Sequence, residues 1–257
     1  MEYKTIDVSH SGRVTILSLN NPQKMNVLGS QMINELSDAL KGIESDSSCG
    51  AVVLRGEGGK AFCAGADVAY LSSLSGEAIG NFVDALREIL VSIEAAAKPF
   101  IAAIEGFCLG GGLELAMACD IRIASEDSKF ALPEIKLGIM PGGGGTYRLP
   151  QIVGTGNAKY MILTGSQIDS AEALRMGLVS KVVAKASLMS EAMAVAEAVS
   201  QNSPNSIMEA KKAVYMAVRP DYSAERESFI ASLSHPDGKE GTKAFLERRK
   251  PKFENVV

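Results

Sequence analysis

The sequence predicts an α/β protein, with strand–helix repeats up to about residue 150 followed by a helical tail. Three observations lead there. Short runs of Val, Ile, Leu and Phe alternate with stretches of helical periodicity. Glycine clusters follow several of those runs, where a strand must turn into a helix. From about residue 155 the apolar residues keep helical spacing almost without a break. Hydrophobic residues at 46% and charged residues at 22% suit a packed globule, and 257 residues can bury a sizeable core.

In order along the chain, Ile6 and Val8 alternate with Thr5 and Asp7, and a second run over 14–19 follows a turn at Ser11-Gly12, which reads as a hairpin. Met32, Leu36, Ala39, Leu40 and Ile43 predict a helix over 30–45. Residues 51–54 form a short buried strand closed by the glycines of 56–59. A helix over 77–97 ends before Lys98-Pro99, because the residue ahead of proline prefers an extended backbone. Residues 100–104 are a third buried strand, after which Gly106 onward turns into a helix through Gly110, Gly111 and Gly112. Strands over 119–124 and 129–132 follow, and the glycines at 142–145 open a helix toward 152. The tail reads as helices over 157–163, 170–176, 187–200, 204–217, 222–233 and 238–248, interrupted by a strand over 178–183.

Composition also excludes. A formal charge of −4 argues against a nucleic-acid surface built on bulk charge. Two histidines, His10 and His235, sit at opposite ends, which speaks against a multi-histidine zinc site and a Ser/His triad. The four cysteines at 49, 63, 108 and 119 have no CxxC spacing, so buried reduced thiols are the better reading than a zinc knuckle or a redox dithiol. No stretch approaches the ~18 apolar residues of a membrane span. The opening residues carry no apolar leader core, so a cytoplasmic protein without membrane partners is expected.

Two segments stand out. In the first, the strand over 100–104 runs into Gly110-Gly111-Gly112 with Glu114 close behind. Glycines at a strand-to-helix turn let a ligand approach the main chain and leave helix N-terminal N–H groups unpaired. Such donors bind phosphate or a developing oxyanion. A tight helix–strand crossing explains the same glycines equally well. In the second, Pro133 fixes the backbone ahead of Glu134 and the glycines at 142–145 again expose N–H groups. Either acid alone reads as a first-turn helix acid. Two carboxylates in one pocket could divide acid and base roles.

Several segments resemble one family. Asn21-Pro-Gln-Lys24-Met-Asn26-Val-Leu28 is similar to the P-x-K-x-N-A-L segment of the enoyl-CoA hydratase/isomerase (crotonase) superfamily, and Ala61-Phe-Cys-Ala64-Gly-Ala66-Asp67 to its F-C-A-G-A-D segment. Gly106 to Glu114 resembles its G-x-x-x-G-G-G-x-E-L run, and Phe130 to Gly138 its F-x-x-P-E-x-x-L-G run. Leu163-Thr-Gly165, Ala171 through Val179, and Glu240-Gly241 through Phe253 follow in the family's order, so the resemblance spans essentially the whole chain.

The resemblance implies a crotonase-like spiral of ββα units over 1–186 and an α-helical C-terminal trimerisation region over 187–257. It implies an acyl-CoA thioester substrate, with coenzyme A part of the substrate and no further cofactor or metal. It implies an oxyanion hole of two backbone N–H groups, Ala66 and Gly111, each worth roughly 3–4 kcal/mol when removed. The substrate-binding positions carried over are Lys24, Ala64, Ala66, Asp67, Val68 and Gly111. Hydratases of the family carry Glu at both acid positions, while isomerases commonly keep only the second. Glu114 and Glu134 together therefore favour syn addition of water to a 2-enoyl-CoA.

Two positions depart from relatives: Ala69 stands where several have a lysine that helps hold the coenzyme A phosphates, and Tyr147 where Gln is common. Lys24 and Lys60 are the cations left for that contact. Isomerisation by Glu134 alone stays open. A non-catalytic, RNA-binding relative is the rival of another class, against which no basic run exceeds Arg248-Arg-Lys250. The helix after Asp67, with Tyr70, Leu71, Leu74, Phe82 and Leu86, shapes the acyl pocket or is plain core. Apolar tail residues such as Met208, Val214, Phe229 and Leu233 and the resemblance suggest a homotrimer, or a hexamer built from two trimers.

Overall fold

A computed structural model describes residues 3–217 and 223–252. The chain runs β1 (Ile6–Ser11), β2 (Val14–Leu19), α1 (Ser30–Ser45), β3 (Ala51–Gly56), β4 (Ala61–Cys63), α2 (Val68–Ser73), α3 (Glu77–Ala95), β5 (Phe100–Ile104), β6 (Phe107–Leu109) and α4 (Gly111–Ala118). It continues through β7 (Ile121–Ser125), β8 (Lys129–Ala131), α5 (Gly145–Thr164), β9 (Ile168–Asp169), α6 (Ser170–Arg175) and β10 (Lys181–Val183). The helices α7 (Leu188–Ser200), α8 (Pro204–Ala217), α9 (Ser223–Ser234) and α10 (Pro236–Leu246) complete it.

The expected hairpin is present, with Ser11 opposite Val14 and the turn carried by Gly12 at φ +58°. From β2 the sheet grows through parallel neighbours in the order β1-β2-β3-β5-β7-β10, and a second sheet runs β4-β6-β8-β9. Each repeat places a long strand in the first sheet and a short one in the second before its helix, as in β3-β4-α2 and β5-β6-α4. That is the spiral of ββα units. The second strand of each of these units, β4 and β6, is not among the expected elements, and the helix expected to follow Gly106 directly starts only at Gly111. Instead β6 pairs with β8, Phe107 opposite Lys129 and Cys108 opposite Phe130. A three-residue strand is too short to show a period of two, so it leaves no signal.

The central strands are covered on both faces, which is why they read as unbroken apolar runs. One face packs on α1 through Met32, Ile33, Leu36, Ala39, Leu40 and Ile43, and on α3. On the other, Leu188, Ala192 and Ala196 of α7 meet Val53, Ile101 and Ile123. The expected strand over 178–183 shortens to β10, its first residues Leu178 and Val179 being buried ahead of it. The helix expected to break between 152 and 157 is kinked at Gly154, at φ 78° and ψ 154°. The tail helices fall within two residues of their expected ends, except that residue 222 lies outside the described residues.

The four cysteines are free thiols and buried, as the spacing suggested. Burial pushes Cys63 and Cys119 up to about 12 and Cys108 well above its ordinary value. Among the described residues no helix is long and apolar enough to cross a membrane.

Candidate active site

Two loops of the second sheet meet side by side. After β4 the chain passes Ala64-Gly65-Ala66, with Gly65 at φ +100°. A Cβ on Gly65 would lie 3.1 Å from the Leu109 carbonyl oxygen and 3.6 Å from Gly111 N, so glycine permits both the backbone angle and the approach. Leu28 N donates to Gly65 O at 2.8 Å and Asp67 N to Leu28 O at 3.1 Å, holding the loop on either side of Ala66. Between those bonds the Ala66 N–H donates to no group among the described residues. Gly111 opens α4 behind Gly110 (φ +51°), so its N–H belongs to the first turn, which has no partner inside the helix. A Cβ on Gly111 would sit 3.6 Å from Ala66 N.

The third glycine of that run has another reason. A Cβ on Gly112 would meet the Cys63 carbonyl oxygen at 2.2 Å, so this position serves helix–strand packing. The two explanations of the run therefore divide by residue. Gly112 is a crossing, while Gly110 and Gly111 border the cleft.

Glu114, in the first turn of α4, is 2% exposed. Its Oε1 accepts hydrogen bonds from Gly143 N at 2.9 Å and Gly145 N at 2.8 Å. Side chains at those glycines would collide with the carboxylate, since their Cβ atoms would come within 2.5 and 2.9 Å of its oxygens. This corrects the reading of the second glycine run as N–H groups left for a ligand. Those at 143 and 145 hold a buried acid instead.

The same loop is braced from behind. Arg148 donates from Nη1 to Gly143 O at 2.6 Å, and from Nε and Nη2 to the two Glu94 oxygens at 2.6 and 2.8 Å. The two side chains are 4% and 13% exposed, so removing one partner takes a charged hydrogen-bond pair away from the other in a place sheltered from water. Arg148→Met should therefore cost about 3–5 kcal/mol in urea unfolding. Arg148→Met combined with Glu94→Gln should recover part of that loss. An unchanged unfolding midpoint in the single variant would show that the pair does not hold the loop.

Glu134 reaches the same cleft from another segment. Pro133, at φ −88° and ψ 8°, leads into a tight 3₁₀ turn over Glu134–Leu137 that Gly138 ends in the left-handed region at φ 70°. A Cβ on Gly110 would lie 3.0 Å from Glu134 Oε1, so the glycine beside Gly111 also clears space for the second acid.

One cleft is lined by Ala64, Ala66, Val68, Gly111, Glu114 and Glu134, together with Leu71, Phe82 and Leu86. Lys24 and Asp67 do not line it. Asp67 caps α2 by accepting from Ala69 N at 3.0 Å and Tyr70 N at 3.2 Å, and Lys24 Nζ lies 3.5 Å from its other oxygen. Lys60 and Ala69 are exposed, and Tyr147 is half-buried. Tyr70 supports the wall from outside, edge-on to Phe82 with ring centroids 5.8 Å apart.

Sequence reasoning missed Leu137, Ile139 and Phe229 in the lining. Phe229 and Leu233, expected at a subunit contact, are both buried within the chain, whereas Val214 is 68% exposed. An apolar residue on a tail helix looks the same in sequence whether it faces its own core or a second subunit.

The chain is similar to known proteins along nearly its whole length. A family model described as enoyl-CoA hydratase/isomerase matches residues 9–256. A probable enoyl-CoA hydratase of Rhizobium meliloti is 44% identical, over 99% of this chain and 100% of that protein. A short-chain-enoyl-CoA hydratase of Clostridium acetobutylicum is 39% identical over 97% of each. The crystal structure of an enoyl-CoA hydratase from Bacillus anthracis superposes with a TM-score of 0.82 at 36% identity, covering 98% of this chain and all of that one.

Proposed function

The chain belongs to the enoyl-CoA hydratase/isomerase family, and from that premise we propose that it is an enoyl-CoA hydratase, adding water syn across a 2-enoyl-CoA thioester to give the 3-hydroxyacyl-CoA. The observation that carries the reading is that Glu114, Glu134, Ala66 and Gly111 border a single cleft.

In this reading the Ala66 and Gly111 N–H groups hold the thioester oxygen, where negative charge grows as water adds. Fixed donors stabilise that charge without having to reorganise at the moment of reaction. Glu114, held by the two glycine N–H groups, takes a proton from the water whose oxygen bonds to C3. The electron pair of the double bond moves to C2 and into the thioester, and Glu134 delivers a proton to C2, so it begins the cycle protonated. Syn addition requires that both acids act on the same face of the double bond, and in this reading Glu114 and Glu134 do so from the one cleft they line. Ala64 and Val68 flank the thioester. Lys24, tethered by Asp67, is the cation offered to the coenzyme A phosphates where Ala69 provides none. Coenzyme A arrives with the substrate, and no other cofactor enters the scheme. The same reading includes a homotrimer or a hexamer, supported by the exposed Tyr160, Leu163, Val214 and Phe245.

The test is turnover of crotonyl-CoA, followed by loss of the conjugated thioester's absorbance and by a product one water heavier. Consumption of a 3-enoyl-CoA without hydration of any 2-enoyl-CoA would transfer the reading to isomerisation by Glu134. No turnover of either would overturn both.

A further inference from the structure

Phe229 comes to the cleft from α9, far along the chain from both acids. Its ring lies directly on Gly142: a Cβ built there would be 2.4 Å from Cδ2 and 2.6 Å from Cγ. Gly142 is thus the seat of the ring. The next residue, Gly143, donates to Glu114. Consecutive Cα atoms are ~3.8 Å apart, so the ring and the carboxylate border neighbouring stretches of the same cleft. If Glu114 directs water to C3, the acyl chain beyond C3 runs toward Phe229. The wall it passes is apolar, with Leu71, Phe82 and Leu86.

The helix that carries Phe229 is tied to the helix that carries Phe82 and Leu86. Arg226, three residues earlier and on the same face of α9, donates from Nε and Nη2 to the two oxygens of Asp84 on α3 at 2.5 and 2.7 Å. Gly80 of α3 leaves room for it, since a Cβ there would lie 2.6 Å from Arg226 Nη2. Ile230 and Leu233 extend the contact along the same side.

We propose that Phe229, seated on Gly142 and held by the Arg226–Asp84 pair, closes the far end of the acyl pocket and restricts the enzyme to short 2-enoyl chains. This rests on the hydratase reading above. Phe229 is a specificity-determining residue in this account, and Arg226 positions it. The reaction that supplies the substrate must then deliver short acyl-CoA chains already carrying a 2,3 double bond.

The experiment compares kcat/KM for crotonyl-CoA and 2-decenoyl-CoA in wild type, Phe229→Ala and Arg226→Met, with circular dichroism confirming the fold. Wild type should strongly favour crotonyl-CoA. Rejecting or admitting even one methylene in an apolar pocket is worth ~10–200-fold. Phe229→Ala should therefore raise the decenoyl-to-crotonyl ratio at least ~10-fold, and Arg226→Met should move it in the same direction by less. Phe229→Leu, which keeps an apolar side chain on α9, gives the ratio if the alanine variant does not fold. A wild-type enzyme that hydrates both thioesters equally well, or a folded variant whose ratio does not change, would overturn the wall. A wild type that hydrates neither would overturn the hydratase reading instead.

Discussion

Glu114→Gln should lower the rate of crotonyl-CoA hydration by ~10²–10⁴-fold, the effect of losing a positioned acid or base, and Glu134→Gln should do the same. The fold should survive both changes. In Glu114→Gln the amide oxygen still accepts from Gly143 N and Gly145 N, so the loop keeps its anchor while the group that takes the proton is gone. Glu134 sits at the start of a turn whose backbone bonds do not involve its side chain, Gly138 N donating to Ile135 O and Ile139 N to Glu134 O. If both acids act in one step on one bound substrate, the double variant should lose little more than the worse single variant, because members of a catalytic unit are not additive. The measurement is kcat at saturating crotonyl-CoA, with unfolding midpoints as the control. Near-wild-type turnover in either variant would remove that residue from the mechanism. Loss of 3-enoyl-CoA turnover in Glu134→Gln alone would mark an isomerase.

Which parts of this site could be read in the sequence follows from how each part is encoded. The acids and the glycines around them are local: Gly110, Gly111 and Glu114 fall within five residues of one another, and Pro133 adjoins Glu134. Local patterns survive in a linear string. Long strands and helices did too, since β2 and β3 are long enough to read as apolar runs and α1 long enough to show a helical period. The short strands β4 and β6 did not, although they bring the Ala66 and Gly111 loops together. The assignment of the glycines at 142–145 needed three dimensions, because the acid they hold lies 29 residues or more away. Phe229 needed them most. Its ring rests on Gly142, a glycine, which carries no side chain to signal what lies against it. Asp67 shows the converse, a motif residue whose carboxylate is taken up by capping α2.

Gly111→Pro should cost ~10²–10³-fold in kcat, the effect of removing one oxyanion donor, while leaving coenzyme A binding largely in place. Proline is usually a blunt substitution, but Gly111 is the first residue of α4. There the N–H has no partner within the helix, and the ring's fixed φ suits the start of a helix. The residue before it, Gly110, is the one best able to accept the restriction that proline imposes on its neighbour. What the new side chain must displace is chiefly the tip of Leu28, whose Cδ1 would lie 3.3 Å from the added Cβ. Gly111→Ala carries that same Cβ but keeps the N–H, so it reports the crowding alone. Ala66→Ser likewise keeps the second donor and should retain a measurable fraction of turnover. The contrast between proline and alanine at position 111 then isolates the donor. Charge develops on the thioester oxygen only as water adds, so the loss should fall on kcat, with KM changing less. Equal kcat in the folded proline and alanine variants would place the thioester oxygen elsewhere in the cleft, away from the junction of the two loops.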